Sequence, residues 1–380
     1  ALLGVGYICG PKISSYLFCG GILGWFVLMP MIVLFGANMV LFPADVSIAE
    51  LYAEQGSFGI WSSYIKYIGA GAVACGGVLS LVKSMPLIIR TFRDALKGFG
   101  RGAVTDERTN QDLNIKVILI GIVVLALAIW IIPVIPINLF GALLIVLFGF
   151  FFATVSSRMV GLVGSSNNPV SGMTIATLLV ASVALKATGM TGQAGMTAAI
   201  AIGGVICIIA AIAGDTSQDL KTGYILGATP KKQQIGEIVG VVASAIAIGG
   251  VLYLLDMAWG YGSTELLAPQ ATLMKMIVEG VMGGNLPWAL VGIGAFIAIV
   301  VEILGIPVLP FAIGLYLPIH LSTPMMVGGI VKWLVEKNSA ESDKKDADAN
   351  GILYSSGLIA GEGLVGIFLA ILAIIPAGKE

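Results

Sequence analysis

Two carboxylates stand where a charge is expensive. Glu362 lies in "GLIAGEGLVGIFLAILAIIP" (357–376), between two glycines with apolar residues on either side, and Glu302 lies in "AFIAIVVEILG" (295–305), nearer the end of its segment. On insertion scales a charge at the centre of a bilayer costs about 2.5–3.5 kcal/mol, which makes such a group a functional candidate by default. Desolvation raises the pKa of a carboxyl group, which suits a side chain that must take up and release a proton. Glu362 and Glu302 are therefore the proton-coupling candidates. The alternative is that each accepts a hydrogen bond from a neighbouring helix and never titrates. The only histidine, His320, follows Pro318 at a helix start; an interfacial position suits it better than a proton relay.

A second group of polar residues interrupts the apolar chain. "GDTSQDLKTGYILGATPKKQQ" (Gly214–Gln234) separates the apolar runs Met196–Ala213 and Ile235–Leu255. Asp215 and Asp219 are four residues apart, so on a helix they share a face, with Lys221 close by. The stretch is expected to be a cytoplasmic loop, forming either a packed gate or re-entrant element or a hydrogen-bonded turn. Three further segments break the apolar pattern: "VGSSNNPVSGMTIATLL" (Val163–Leu179), "EGVMGGNLPW" (Glu279–Trp288) and "GIPVLPFAIGLYLPIH" (Gly305–His320). Irregular backbone at membrane depth is tolerated only where protein or a water-filled cavity satisfies it, and interrupted helices are the best sequence pointer to a transporter's binding site.

The elements that must position these residues can be read from composition. Of 380 residues, 58% are hydrophobic and 11% charged, against roughly 25% charged in soluble domains; the mean hydropathy is +1.00. The 51 glycines fit close packing of membrane helices. The expected fold is an all-α polytopic membrane protein, a single bundle over 1–380 with broken or re-entrant segments. About ten spans of the required ~20 residues are expected: Ser14–Gly36, Trp61–Ile89, Val117–Ile132, Ile137–Val155, Val170–Lys186, Met196–Ala213, Ile235–Leu255, Leu286–Leu304, His320–Val335 and Ile352–Pro376. Ala1–Ile8 could be the tail of one more. Gly20/Gly24 and Gly236/Gly240 have helix-packing spacing. Arg90, Arg93, Lys97, Arg101, Arg108 and Lys116 place the 90–116 loop in the cytoplasm by the positive-inside rule. Counting spans onward puts 214–234 on the same side, and the charged 337–350 loop reads as a solvated linker.

Other function classes are excluded on simple grounds. A net charge of −1 without a basic stripe argues against nucleic acid. Gly-x-x-x-x-Gly-Lys-Ser/Thr, His-Glu-x-x-His and Gly-x-Ser-x-Gly are absent, and one histidine with four scattered cysteines leaves no metal site. No enzyme activity and no cofactor are expected. The energy source for transport would be an ion gradient or none at all.

"GDTSQDLKTGYILGATPKKQQ" resembles the signature region of the oligopeptide transporter family, which includes the yellow stripe-like metal-chelate transporters. "NNPVSGMTIATLL" (Asn167–Leu179), "GIPVLPFAIGLYLPIHLSTPMMVGG" (Gly305–Gly329) and "SSGLIAGEGLVGI" (Ser355–Ile367) resemble it too. Residues 1–166 resemble it more weakly, chiefly through Gly4–Trp25. The resemblance implies a proton-coupled importer in a bacterial-type inner or plasma membrane. With room for ten of the family's sixteen or so helices, it also implies the carboxy-terminal portion of a longer chain. It implies substrate-binding or gating roles for Asp215, Gln218, Asp219 and Lys221, and for Asn168, Pro169 and Gly172. On this reading the half-helix Asn167–Thr174, with Ser171 and Thr174, turns its positive end toward an anionic substrate group. The expected partners are a small peptide or a metal chelate, protons and the lipid bilayer. A channel should show a repeated filter or rings of charge, and a non-transporting scaffold has no use for Glu362 in mid-span.

Overall fold

The computed structural model describes residues 1–98, 107–132, 135–163, 168, 170–263, 266, 268–283, 287–340 and 342–374. Among them every regular element is helical: α1 (Leu2–Ile22), α2 (Met29–Gly36), α3 (Ile48–Ile60), α4 (Lys66–Gly98), α5 (Ile115–Ile131), α6 (Leu139–Val163), α7 (Val170–Ala187), α8 (Gly192–Leu226), α9 (Pro230–Trp259), α10 (Pro269–Met282), α11 (Trp288–Ile303), α12 (Val308–Tyr316), α13 (Ile319–Asn338) and α14 (Lys344–Ile374). Each of the ten expected spans overlaps a helix among the described residues, but Trp61–Ile89, Leu286–Leu304 and His320–Val335 are not among the stretches long and apolar enough to cross a membrane. Seven helical stretches among the described residues are long and apolar enough to cross a membrane: Leu2–Gly36, Arg108–Ile131, Leu139–Gly161, Val170–Ala187, Gly192–Leu226, Pro230–Trp259 and Lys344–Ile374. In hydrocarbon the backbone must bond to itself, and a helix does so within one segment. The chain is an all-α, multi-pass integral membrane protein.

The chain packs as two units. The first comprises Ala1–Gly76, Val251–Leu273 and Leu286–Glu380. Glycines there let helix backbones touch. A Cβ on Gly6 of α1 would lie 1.9 Å from the Met325 carbonyl oxygen of α13, and one on Gly328 of α13 would lie 2.1 Å from that of Leu3. The same exchange joins α1 to α12 through Gly20 (2.0 Å from the Phe311 oxygen) and Gly314 (1.8 Å from the Leu17 oxygen), and α4 to α11 through Gly71 and Gly294. Without a hydrophobic driving force between helices in lipid, such close approach is a main source of association. Several helices are interrupted. α1 is kinked at Gly10 (φ 79°) before Pro11, so Ala1–Ile8 is set off from the remainder of the helix, and α3 is kinked at Gly56 (φ 61°). Wide π-helical turns occupy Leu23–Leu28 and Trp61–Ile65. The proline-rich Gly305–His320 region forms the short α12, and the chain breaks at Leu317–Pro318 before α13.

The second unit comprises Gly77–Gly250 and Met274–Asn285. Its core joins Phe152, Val155 and Met159 of α6, Met173, Leu178 and Leu185 of α7, and Ile202 and Ile206 of α8. Leu178 fills the notch over Gly203, where a Cβ would lie 2.5 Å from its Cδ2. Lys186, at the end of α7, donates to the Val281 carbonyl at 2.8 Å.

Four expectations are corrected. The expected 90–116 loop is helical at both ends, because α4 runs on to Gly98 and α5 begins at Ile115. Gly236 and Gly240 meet nothing within 4 Å among the described residues, because glycine spacing permits close approach without supplying a partner. Gly214–Gln234 is not a loop: α8 runs through it to Leu226, Gly227 caps it in the left-handed conformation (φ 73°), and α9 starts at Pro230. Most of 337–350 is helical too, because α13 continues to Asn338 and α14 begins at Lys344. That stretch is no plain linker either, since Asp348 pairs with Lys332 at 2.9 Å.

Local geometry makes two of these features testable. Gly314→Ala forces the α1–α12 backbones apart and should lower the stability of the purified chain by about 1–3 kcal/mol, the usual range for overpacking. Gly357→Ala on α14, where a Cβ meets nothing within 4 Å, should be neutral or slightly stabilising; thermal unfolding in detergent compares the two. At the start of α3, Ser47 and Glu50 form a reciprocal capping box. Hydrogen bonds from the Ser47 hydroxyl and then its backbone N–H hold the Glu50 carboxyl below its ordinary pKa. The stabilisation is therefore present above the ordinary carboxylate pKa and lost as pH falls through the lowered one. Amide exchange at residues 48–51 should accelerate over that acidic window, and Glu50→Gln should remove the pH dependence.

Candidate functional site

The signature stretch forms the tip of a helical hairpin, and half of its polar residues hold that tip together. Arg108 donates to the Gly227 carbonyl at 2.8 Å and to Thr229 Oγ1 at 3.3 Å. Gln234 accepts from the Leu113 N–H at 2.9 Å and donates to Asp112 at 3.1 Å, while the Lys231 N–H reaches the Gln111 carbonyl at 2.8 Å. Gln233 bridges back to the Asp219 carbonyl at 3.0 Å, across Gly223, where a Cβ would collide with the Gln233 amide. Thr216 donates to Glu237 of α9 at 3.0 Å. Of these, the bonds to the Gly227 carbonyl and from the Lys231 N–H satisfy backbone groups left open at the two helix ends.

The other half of the signature faces outward. Asp215, Gln218, Asp219 and Lys221 are all at least partly exposed along α8, with the Lys221 ammonium 5.2 Å from the Tyr224 ring centroid. Helical spacing does bring Asp215 and Asp219 to one side, as the sequence implied.

The interrupted segment and the signature meet at one point. Asn168, just ahead of α7, donates through Nδ2 to Ser156 Oγ at 2.6 Å, and the fully buried Ser156 hydroxyl donates to the Ala210 carbonyl of α8. The approach depends on Gly214: a Cβ there would lie 3.1 Å from Asn168 Nδ2 and 2.8 Å from Val160 Cγ2. One turn on, Ser217 Oγ lies 2.6 Å from Ser157 Oγ and 2.8 Å from the Ala213 carbonyl. Asn168 Oδ1 is buried without a hydrogen-bond partner among the described residues. Asn167 and Pro169 lie outside the described residues, as do Gly284, Asn285 and Leu286 of the second break. Gly172 and Thr174 are buried in the α7 packing, with the Thr174 hydroxyl donating to the Val170 carbonyl at 2.9 Å; Ser171 is exposed.

The two acidic candidates belong to the first unit. Glu302 is partly exposed at the last turn of α11. Glu362 lies within α14, but its side chain is 64% exposed. Among the described residues no helix buries it.

Sequence reasoning passed over a cavity of about 200 Å³ in the first unit, walled by Phe58, Trp61, Ser62, Lys66, Tyr316 and Pro318. It lies where two helix interruptions meet, the π-helical turn at Trp61 and the break after Tyr316. Trp61 Nε1 donates to the Tyr316 carbonyl at 3.2 Å. The Phe58 ring lies 5.1 Å from that of Trp61 and 6.2 Å from that of His320, and Lys66 Nζ stands 5.8 Å over the Trp61 ring. The signal that could have found it is Lys66 itself, an ammonium just inside the apolar span Trp61–Ile89.

Comparison with known proteins gives these sites a context. The profile of the family described as OPT oligopeptide transporter protein matches residues 1–373. A Haemophilus influenzae protein named as an oligopeptide transporter is 32% identical over all of this chain and 67% of its own length. A protein of Oryza sativa subsp. japonica that bears the name "Probable metal-nicotianamine transporter YSL14" is 26% identical over 98% of this chain and 55% of its own length. YSL4 of Arabidopsis thaliana, of the same description, is 26% identical over 98% and 59%. The chain thus spans about two thirds of the bacterial relative and little more than half of these plant relatives. No solved structure matches it. With the profile matched along nearly its whole length, this chain belongs to the OPT oligopeptide transporter family.

Proposed function

We propose that the protein is a proton-coupled secondary transporter that imports small oligopeptides or peptide-like compounds. The observation that carries this reading is the junction at Asn168, where the interrupted entry to α7 packs on Gly214 of the signature helix with a buried amide oxygen that has no hydrogen-bond partner among the described residues. Interrupted helices with polar groups at the break are the usual construction of substrate sites in secondary transporters. The start of α7 at Val170 offers the positive end of a helix to an anionic group of the substrate. Asp215, Gln218, Asp219 and Lys221 form an exposed face that gates access from the cytoplasmic side. Glu362, within a membrane-length helix, carries the proton, with Glu302 as the second candidate. A metal chelate is the alternative substrate, supported by the names of the plant relatives.

The full-length protein in proteoliposomes should take up labelled di- to tetrapeptides several-fold faster with an inward proton gradient than without one. A rate indifferent to the gradient removes proton coupling, and gradient-driven uptake of a metal chelate in place of peptides selects the alternative. Glu362→Gln should abolish gradient-driven uptake while exchange of bound peptide persists; unchanged driven uptake assigns Glu362 a structural role. Asp215→Asn and Asp219→Asn should each lower uptake about tenfold at unchanged folded yield, as gating residues would. A fall in yield that accounts for the lost uptake would make them structural.

A further inference from the structure

The aromatic cavity of the first unit is used by none of the roles assigned above. We propose that it is a binding subsite for a residue-sized group ending in a carboxylate, such as the free C-terminal residue of a peptide. The proposal rests on the transport reading for its biological purpose, while its chemistry comes from the cavity walls.

Size sets the first limit. Whole small-molecule sites occupy about 300–1,000 Å³, so a cavity of about 200 Å³ holds one end of a ligand. Charge sets the second. Lys66 supplies an ammonium to the wall with the Trp61 ring 5.8 Å away, and attraction between unit charges grows several-fold as the surroundings lose water. α13 starts at the same wall, with Pro318 at its N-cap and no side chain capping it, which adds the positive end of a 20-residue helix. Hydrogen bonding sets the third. Ser263 Oγ accepts from the Leu266 N–H at 3.1 Å, which leaves its own O–H to donate to a ligand oxygen. The Ser62 hydroxyl already donates to the Gly59 carbonyl at 3.0 Å, so it can only accept there, as a peptide N–H requires.

The apolar part of the ligand is provided for separately. Phe58, Trp61 and Tyr316 present ring surface to the cavity, and rings of this kind favour an apolar or aromatic side chain in offset or edge contact. The walls are held in place. Trp61 is tied by its indole N–H to a carbonyl at the end of α12, beside the break, and Gly69 lets α4 approach Tyr316 so closely that a Cβ would lie 2.4 Å from its Cα. A gap that merely admits a lipid tail needs neither an ammonium nor a hydroxyl donor, so Lys66 and Ser263 favour a carboxylate over hydrocarbon.

The test measures binding rather than uptake. Intrinsic tryptophan fluorescence of the purified full-length protein in detergent is titrated with Ala-Ala-Phe and with its C-terminal amide. The free acid should bind at least tenfold more tightly than the amide. Lys66→Met should erase that difference by weakening only the acid, and Lys66→Arg should keep it. Should Lys66→Met fail to fold, Ser263→Ala provides the second variant and should narrow the difference between acid and amide. Equal affinities in the unaltered protein, discrimination that survives Lys66→Met (or is undiminished in Ser263→Ala where that variant stands in), or no saturable binding of either peptide would overturn the proposal. Acid-selective binding without uptake under any gradient would leave the subsite standing and remove the transport reading. Gradient-driven uptake indifferent to amidation would do the reverse.

Discussion

Direct contact between helix backbones is the constraint on which the first unit rests. At Gly6, Gly20, Gly314 and Gly328 a side chain of even one carbon would overlap a carbonyl oxygen of the facing helix. The contacts come in reciprocal pairs, each helix giving a glycine and receiving a carbonyl, so α1 is held against both α12 and α13 at fixed register. Lipid tails are as apolar as leucine side chains and reward no burial; tight van der Waals contact along these pairs replaces the hydrophobic drive of a soluble core. The second unit relies more on side chains. There Leu178 over Gly203 and the α6–α8 seam form an interdigitated core, and the buried hydroxyl of Ser156 uses a backbone carbonyl as its acceptor.

Held at fixed register, the helices can be interrupted without coming apart. Each break frees backbone groups that must find partners away from water, and the structure shows where some of them go. The Tyr316 carbonyl at the end of α12 receives the Trp61 indole N–H. Ahead of α7 the anchoring bond instead joins two side chains, from Asn168 Nδ2 to Ser156 Oγ. Both breaks place polar groups beside space or beside an acceptor without a partner among the described residues, and both are anchored by side chains from another helix. A break that only relieved strain would not need such anchoring.

The membrane class and a helix at each of the ten apolar segments were legible because a run of about 20 apolar residues admits few other structures. The extent of α8 was not. Polar residues such as Asp215, Gln218 and Lys221 carry no period that separates a solvated helix from a loop, and the helix runs on until Gly227 turns it. Gly20 and Gly24 were correctly placed in a helix contact, since both face α12, while the equally spaced Gly236 and Gly240 face open space. Spacing reports what a helix face permits, and only the fold decides which face is met. The meeting of Asn168 with Gly214 joins positions 46 residues apart in sequence, and the cavity draws on four separate segments, so neither leaves a local pattern. Glu362 was legible by position alone, since its exposure depends on which neighbours α14 receives.

The signature stretch can now be divided by physical task. Its second half, from Gly223 to Gln234, turns the chain and fastens it: Gly227 supplies a left-handed residue, Thr229 and Gln234 bind the 108–113 segment, and Gln233 reaches back to α8. Its first half sends its small residues inward, Gly214 to Asn168 and Ser217 to Ser157, and its charged residues outward. A hairpin fastened so firmly at its tip could have been built with any soluble residues on the outer face of α8. That face instead carries two carboxylates one turn apart and a lysine two residues on, directly behind the glycine that admits Asn168. Movement of α8 at Gly214 would therefore shift the exposed charges and the buried amide together, as the proposed gating role requires.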